Sequence, residues 1–134
     1  MKRVGVDTNI VLRLVVGDDE KQLQVAERFQ QDVFSRGNQI YLSLIVIVES
    51  VWALRQIFKF SKERIILVLE HYLLIQGAEL EEPEMIWKAL ELYRNSSADF
   101  SDCLILARNQ GAEVLETMTF DRKASTMNGF SLLA

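Results

Sequence analysis

Along the chain, short aliphatic runs alternate with longer stretches whose apolar residues recur every three or four positions. Residues 3–6 are the first run. They stop at Asp7 and predict a buried strand. Residues 8–16 place Ile10, Val11, Leu14 and Val15 on one side of a helix that ends at Gly17. Asp18 is the expected cap of a second helix, which reaches about Ser35. Residues 39–42 read as a second strand. Ser43 caps a helix to about Phe58 and Ser61 caps another over 62–75, an αα-hairpin joined through Lys59-Phe60. Residues 78–80 are a third strand, and Pro83 opens a helix to about Arg94. Beyond Asn95-Ser96-Ser97 a helix is expected over 100–109, a strand over 113–115, a loop over 117–121, a helical turn over 121–125 and a last strand over 130–133. The alternation predicts an α/β fold with a central, mostly parallel sheet of four to five strands and helices on both faces. Such sheets place ligand sites beyond the carboxyl ends of their strands.

Composition narrows the chemistry. At 134 residues, 49% hydrophobic and 25% charged, the chain fits one globular domain, residues 1–134. Its net charge of −4 makes it a poor non-specific binder of nucleic acid as a whole, although a local basic patch stays open. With one cysteine, Cys103, and one histidine, His71, there is no intramolecular disulfide and no structural zinc cluster. Any chemistry must therefore come from carboxylates, hydroxyls or a bound ion. Asp7 arrives too early for a secretory signal, and the uncharged run over 37–48 is too short to span a bilayer. The expectation is a cytoplasmic protein with no membrane association.

The acids fall at telling places. Asp7-Thr8-Asn9 follows the first strand. Glu49 stands in an apolar helix, with Ile45, Val46, Trp52 and Ala53 at its helical neighbour positions and none able to pair with it. Asp99 and Asp102 lie in Ala98-Asp99-Phe100-Ser101-Asp102-Cys103-Leu104-Ile105, and Asp121 ends Thr119-Phe120-Asp121. Each alone also has a plain structural reading. Asp7 and Asp121 can cap turns, Glu49 can reach water from the edge of its stripe, and Asp99 with Asp102 resembles a capping box. Jointly they say more. In a parallel sheet Asp7, Glu49, Asp102 and Asp121 can converge at one edge. Two like charges at about 4 Å cost roughly 1 kcal/mol in water and about 4 at an effective dielectric of 20, so such a cluster calls for a cation. All-oxygen donors suit Mg²⁺ or Mn²⁺.

These four motifs, in order and spacing, resemble the PIN-domain ribonucleases, and within them the VapC-type toxins of bacterial toxin–antitoxin systems. The resemblance covers nearly the whole chain. It implies a PIN-like three-layer sandwich. Matched position by position, Asp7, Glu49, Asp102 and Asp121 are the family's acidic quartet, with Asp7 and Asp102 its most constant metal ligands. Asp99 matches an extra acid found in some members, and Asn9 and Thr119 match polar residues that support the site. Cys103 and Leu104 depart mildly from the small residues common after the matching Asp. The resemblance further implies an Mg²⁺- or Mn²⁺-dependent endoribonuclease, a type II toxin acting on tRNA or rRNA, a homodimer, and a cognate antitoxin.

Arg13, Arg122 and Lys123 lie beside the acidic motifs and are candidates for holding RNA phosphates. Arg55, Lys59, Lys62 and Arg64 cluster around the helical hairpin, where charges are ordinarily just solvated. Trp52, Trp87 and Tyr93 stand at core spacing and are expected to pack inside rather than to stack bases. Leu44, Ile47, Trp52 and Phe58 are surplus apolar side chains available to a dimer or antitoxin interface. His71 is expected on its helix surface or partly buried, and Cys103 in the core. Three other readings compete: a phosphoacceptor receiver-like signalling domain, a catalytically silent PIN-fold binding protein, and a DNA-acting nuclease of the same superfamily.

Overall fold

The computed structural model describes residues 1–134. The chain divides into two compact units, Met1–Glu81 and Glu82–Ala134.

The first unit opens with β1 (Arg3–Gly5), α1 (Thr8–Val16) and α2 (Glu20–Ser35), and continues through β2 (Gln39–Leu42), α3 (Leu44–Gln56), α4 (Lys62–Leu74) and β3 (Ala78–Leu80). The strands form one parallel sheet in the order β1-β2-β3. Val4 lies opposite Ile40, and Leu42 opposite Leu80. The central strand is the buried one, with Ile40 and Leu42 facing inward. β1 was expected to be buried. It is an edge strand of this sheet, with Arg3 and Gly5 exposed and only Val4 half-covered.

Caps explain where the helices start. Asp7, Asp19, Ser43 and Ser61 each take an extended backbone and accept a hydrogen bond from the N–H three residues on. The second helix is thus capped by Asp19 rather than Asp18. Gly17, at φ 67, ends α1 in the left-handed conformation that glycine adopts without cost. The Glu81 carboxylate accepts the Leu44 N–H at 2.9 Å, which ties the end of β3 to the start of α3. Gly77 is fixed by a close approach, because a Cβ there would run into the ring of Phe34.

α3 and α4 pack as the expected hairpin. The buried face of α3 carries Ile47, Ser50, Val51 and Leu54, at the spacing of one helical stripe. Ile47 therefore belongs to the core and is not surplus. Trp52 is 60% exposed, contrary to its expected packing. The reason is its position three residues after Glu49, which puts both on the outer face with Ile45. Ser50 is buried in this stripe with no hydrogen-bond partner for its hydroxyl. It lines a cavity of about 10 Å³ whose other walls include Val11, Ile47, Leu69 and Tyr72.

The second unit comprises α5 (Pro83–Arg94), α6 (Phe100–Gly111), β4 (Thr117–Thr119), a short 3₁₀ turn (Ala124–Thr126) and β5 (Phe130–Leu132). α5 packs on α6 through Ile86, Ala89, Leu90 and Tyr93 on one side and Phe100, Cys103 and Leu106 on the other. The Tyr93 and Phe100 rings meet edge to face at 5.7 Å. Tyr93 and Cys103 are buried as expected, whereas Trp87 is not.

The fourth strand is β4, not residues 113–115. The N–H groups of Glu113 and Val114 turn back to the carbonyls of Gln110 and Asn109 at the end of α6, which takes two of the three donors this segment would bring to a ladder. Glu113 adopts φ 63 and Leu115 is 92% exposed. Pairing begins at Thr117, whose N–H donates to Gly129, and β4 then runs parallel to β5. All strand pairs are parallel, as the alternation predicts. The five strands, however, pair as three and two, not as one ladder.

Candidate functional site

In the first unit, the strand-to-helix junction brings two of the predicted acids into one neighbourhood. Asp7 follows β1 and caps α1 by accepting the Ile10 N–H at 3.3 Å. Its plain structural role is thus real, but it uses one carboxylate oxygen and leaves Asp7 exposed. Glu49 is also exposed, and it is not unpartnered. The Thr8 hydroxyl donates to its Oε1 at 3.0 Å, across 41 residues of sequence. That bond ties α3 to the first residue of α1. Thr8 is the residue that sequence reasoning missed. The signal for it was the lack of any partner for Glu49 on its own helix, together with a hydroxyl directly after a strand-end acid. Asn9 is exposed in the first turn of α1.

In the second unit, three acids gather. Asp99 takes the cap position of α6 with extended backbone, but its side chain makes no capping hydrogen bond. The capping-box reading of Asp99 therefore fails, and its carboxylate stays available. Asp102 follows in the first turn, half-buried. Burial raises the Asp102 pKa above the ordinary aspartate value, and the charges of Asp121 and Asp99 raise it further. Asp121 is held from two sides. Its N–H donates to the Thr119 hydroxyl at 2.9 Å, and its Oδ1 accepts the Ala124 N–H at 3.0 Å. Thr119 thus positions the backbone of Asp121, in the manner of a hydroxyl-capped turn. None of Asp99, Asp102 and Asp121 has a salt-bridge partner.

The basic candidates separate. Arg13 is spent on the α1–α2 corner, where its guanidinium meets Asp18 at 2.8 Å and Gln22 at 2.6 Å. Arg122 and Lys123 are exposed beside Asp121, with their carbonyls engaged by Ser125 and Thr126 and their side chains unpaired. His71 is exposed and lies edge-on to Tyr72.

The donor set fits a hard divalent cation. Every candidate ligand is a carboxylate oxygen, and the charges of Asp121 and Asp99 act on Asp102 in the sense that a nearby cation would offset. Within neither unit do three acidic, histidine or cysteine side chains close up into a ready cage.

The PIN domain profile matches residues 4–128. This chain belongs to the PIN-domain family. The match runs through all the acids named above and through both units. It sets aside the receiver-domain reading and places the parallel strands and six helices in a PIN-like α/β sandwich class. The VapC ribonuclease of Aquifex aeolicus (strain VF5) is 27% identical over 118 residues, which span 88% of this PIN chain and 87% of that protein. No solved structure gives a significant match.

Proposed function

We propose that this PIN domain is a divalent-metal-dependent endoribonuclease and the toxin of a type II toxin–antitoxin pair. In this reading residues 1–134 are one nuclease domain whose metal-binding acids are Asp7, Glu49, Asp102 and Asp121. The observation that carries this reading is that Asp102, half-buried in the first turn of α6 and under the charges of Asp121 and Asp99, has no cationic partner. Family membership and the likeness to a VapC ribonuclease support it.

Asp7 and Asp102 would hold Mg²⁺ or Mn²⁺. Glu49 and Asp121 would hold a second ion or orient waters, and Asp99 would add negative charge. When bound, the ion supplies Lewis-acid activation of water and neutralises charge on the phosphate under attack. The chain's own residues do the positioning. Thr8 fixes Glu49, and Thr119 fixes the turn that presents Asp121. Asn9 supports the first-strand end of the site. Arg122 and Lys123, unpaired beside Asp121, hold the phosphates flanking the scissile one, and Arg13 contributes less because Asp18 already engages it. In-line attack of water on the phosphodiester leaves a 5′-phosphate and a 3′-hydroxyl.

tRNA or rRNA is the expected substrate. No helix is long and apolar enough to cross a membrane. The toxin reading carries with it a cytoplasmic location. Ile45, Trp52 and Ile57, large apolar side chains exposed on α3 and at its end, supply a surface for a homodimer or for the antitoxin. The central test is cleavage of candidate RNAs by the Asp7→Asn protein with Mg²⁺ and with Mn²⁺. Loss of cleavage is expected, and undiminished cleavage overturns the assignment.

A further inference from the structure

The tip of the α3–α4 hairpin carries a concentration of positive charge that the acidic centre does not account for. Residues 55–64 hold four cations, Arg55, Lys59, Lys62 and Arg64, against one acid, Glu63, in a chain whose overall charge is −4. From Ser50 to Lys62 there is no acid at all.

The two arginines are also built into place, and neither is held by a carboxylate. Both rest on Phe60, which is buried. Arg55 donates from Nη1 to the Phe60 carbonyl at 3.0 Å. The Arg64 guanidinium stacks over the Phe60 ring, 3.8 Å from its centroid. A guanidinium held this way keeps its full charge and most of its five N–H donors. It has also given up part of the side-chain freedom that binding would otherwise remove. Lys59 stands between them in a left-handed backbone conformation, φ 59, where glycine would sit without strain. Its side chain is exposed, as are those of Arg55 and Arg64.

We propose that this hairpin tip is a phosphate-docking surface, which grips the RNA backbone away from the scissile bond and without reading its bases. Fixed, planar, unneutralised arginines suit phosphate oxygens, which accept two parallel N–H bonds from one guanidinium. The proposal rests on the nuclease reading for the identity of its polyanion. An acidic protein segment is the rival occupant. RNA is favoured because the nuclease reading supplies a polyanionic ligand and because each guanidinium, held by Phe60 and not by a carboxylate, keeps N–H donors for phosphate oxygens.

The test is binding of a 5′-fluorescein-labelled, 20-nucleotide single-stranded RNA of mixed sequence. It is run by fluorescence anisotropy in EDTA over a salt series, so that no cleavage is required. The variant is Arg55→Gln/Lys59→Gly/Arg64→Gln. Lys59→Gly suits the backbone there, and a melting curve confirms the fold. A control, Lys21→Gln/Arg28→Gln/Lys88→Gln, changes the net charge equally at other exposed positions. The expected result is a Kd at least about tenfold weaker for the hairpin variant, with the salt slope reduced by about 2, since each single-strand phosphate contact contributes about 0.7. The control should lose much less. Equal losses in both variants, unchanged binding in the hairpin variant, or no RNA binding by the wild type would each overturn the proposal. Unchanged RNA binding with lost retention of polyglutamate would reassign the surface to an acidic protein. A wild type that binds this RNA in EDTA but cleaves nothing in Mn²⁺ fails the nuclease reading alone and leaves the docking surface standing.

Discussion

Replacing Asp102 by asparagine should make the metal-free protein more stable while abolishing its activity. Asp102 is half-buried and faces two like charges, Asp121 and Asp99, with no cationic partner. Asp99 lies three residues earlier at the cap position of α6, and its repulsion is taken as no larger than that of a like-charge pair within a helix, roughly 0.2–0.5 kcal/mol. The through-space repulsion from Asp121 is of similar size once solvent screening is allowed for. Opposing both is the favourable position of an acid in the first turn of α6, worth about 0.3 kcal/mol at the exposed end of the usual range. The upward displacement of the Asp102 pKa says that burial and repulsion win. The balance is about 0.5 kcal/mol, which for a chain of this length is an increase in Tm of roughly 2 °C.

The pH dependence follows from the sign of that displacement. The folded state holds the Asp102 proton more tightly than the unfolded state, so the ionised carboxylate destabilises the fold above its folded pKa. The difference between Asp102→Asn and wild type should be full at neutral pH and should close as pH falls toward the unfolded value of 3.8. Scanning calorimetry in EDTA across that range checks it. Adding Mn²⁺ should reverse the order. At ten times its Kd an ion that binds only the folded wild type adds about 1.4 kcal/mol, and the variant should gain little. Activity should fall by at least ~100-fold, because even residues that merely orient metal ligands cost 10–100-fold when removed. An Asp102→Asn protein that melts below wild type in EDTA at neutral pH would refute the reasoning, since the carboxylate would then be making a stabilising contact of its own.

Two further substitutions separate positioning from packing. Thr8→Val removes the donor to Glu49 while keeping the shape of the side chain, and should lower Mn²⁺-dependent cleavage by about tenfold or more with Tm nearly unchanged; a large loss of stability with proportionate loss of activity would make Thr8 structural only. Ser50→Ala removes a buried hydroxyl that has no partner, beside a cavity with apolar walls too poor in polar groups to hold a water, and should stabilise the protein by about 1 kcal/mol in urea unfolding with cleavage intact.

How far this molecule could be read from its residues depends on the range of the interaction that fixes each feature. Helix starts were legible because a cap is local: Asp7, Ser43 and Ser61 each hold an N–H three residues away. The acids drew attention as a joint pattern, while Asp7 and Asp121 each also make the local cap that their position predicts. What lay beyond reach was set by partners far along the chain. The strand expected over 113–115 is apolar enough to pair, yet the unwinding end of α6 takes its backbone donors, and pairing moves on to Thr117. Asp99 and Asp102 have the spacing of a capping box, but the Asp99 side chain makes no cap. Glu49 has no partner within its own helix, and its donor, Thr8, sits 41 residues earlier. Trp52 looked like core because it is aromatic at helical spacing, although the same spacing places it on the face of Glu49, and that face is solvated. The apolar character of Trp52 and the acidity of Glu49 thus share one exposed stripe of α3. A protein interface seated on Ile45, Trp52 and Ile57 would necessarily lie against the acid that Thr8 holds, so occupancy of that stripe by a partner and access of RNA to Glu49 would compete for the same helix face.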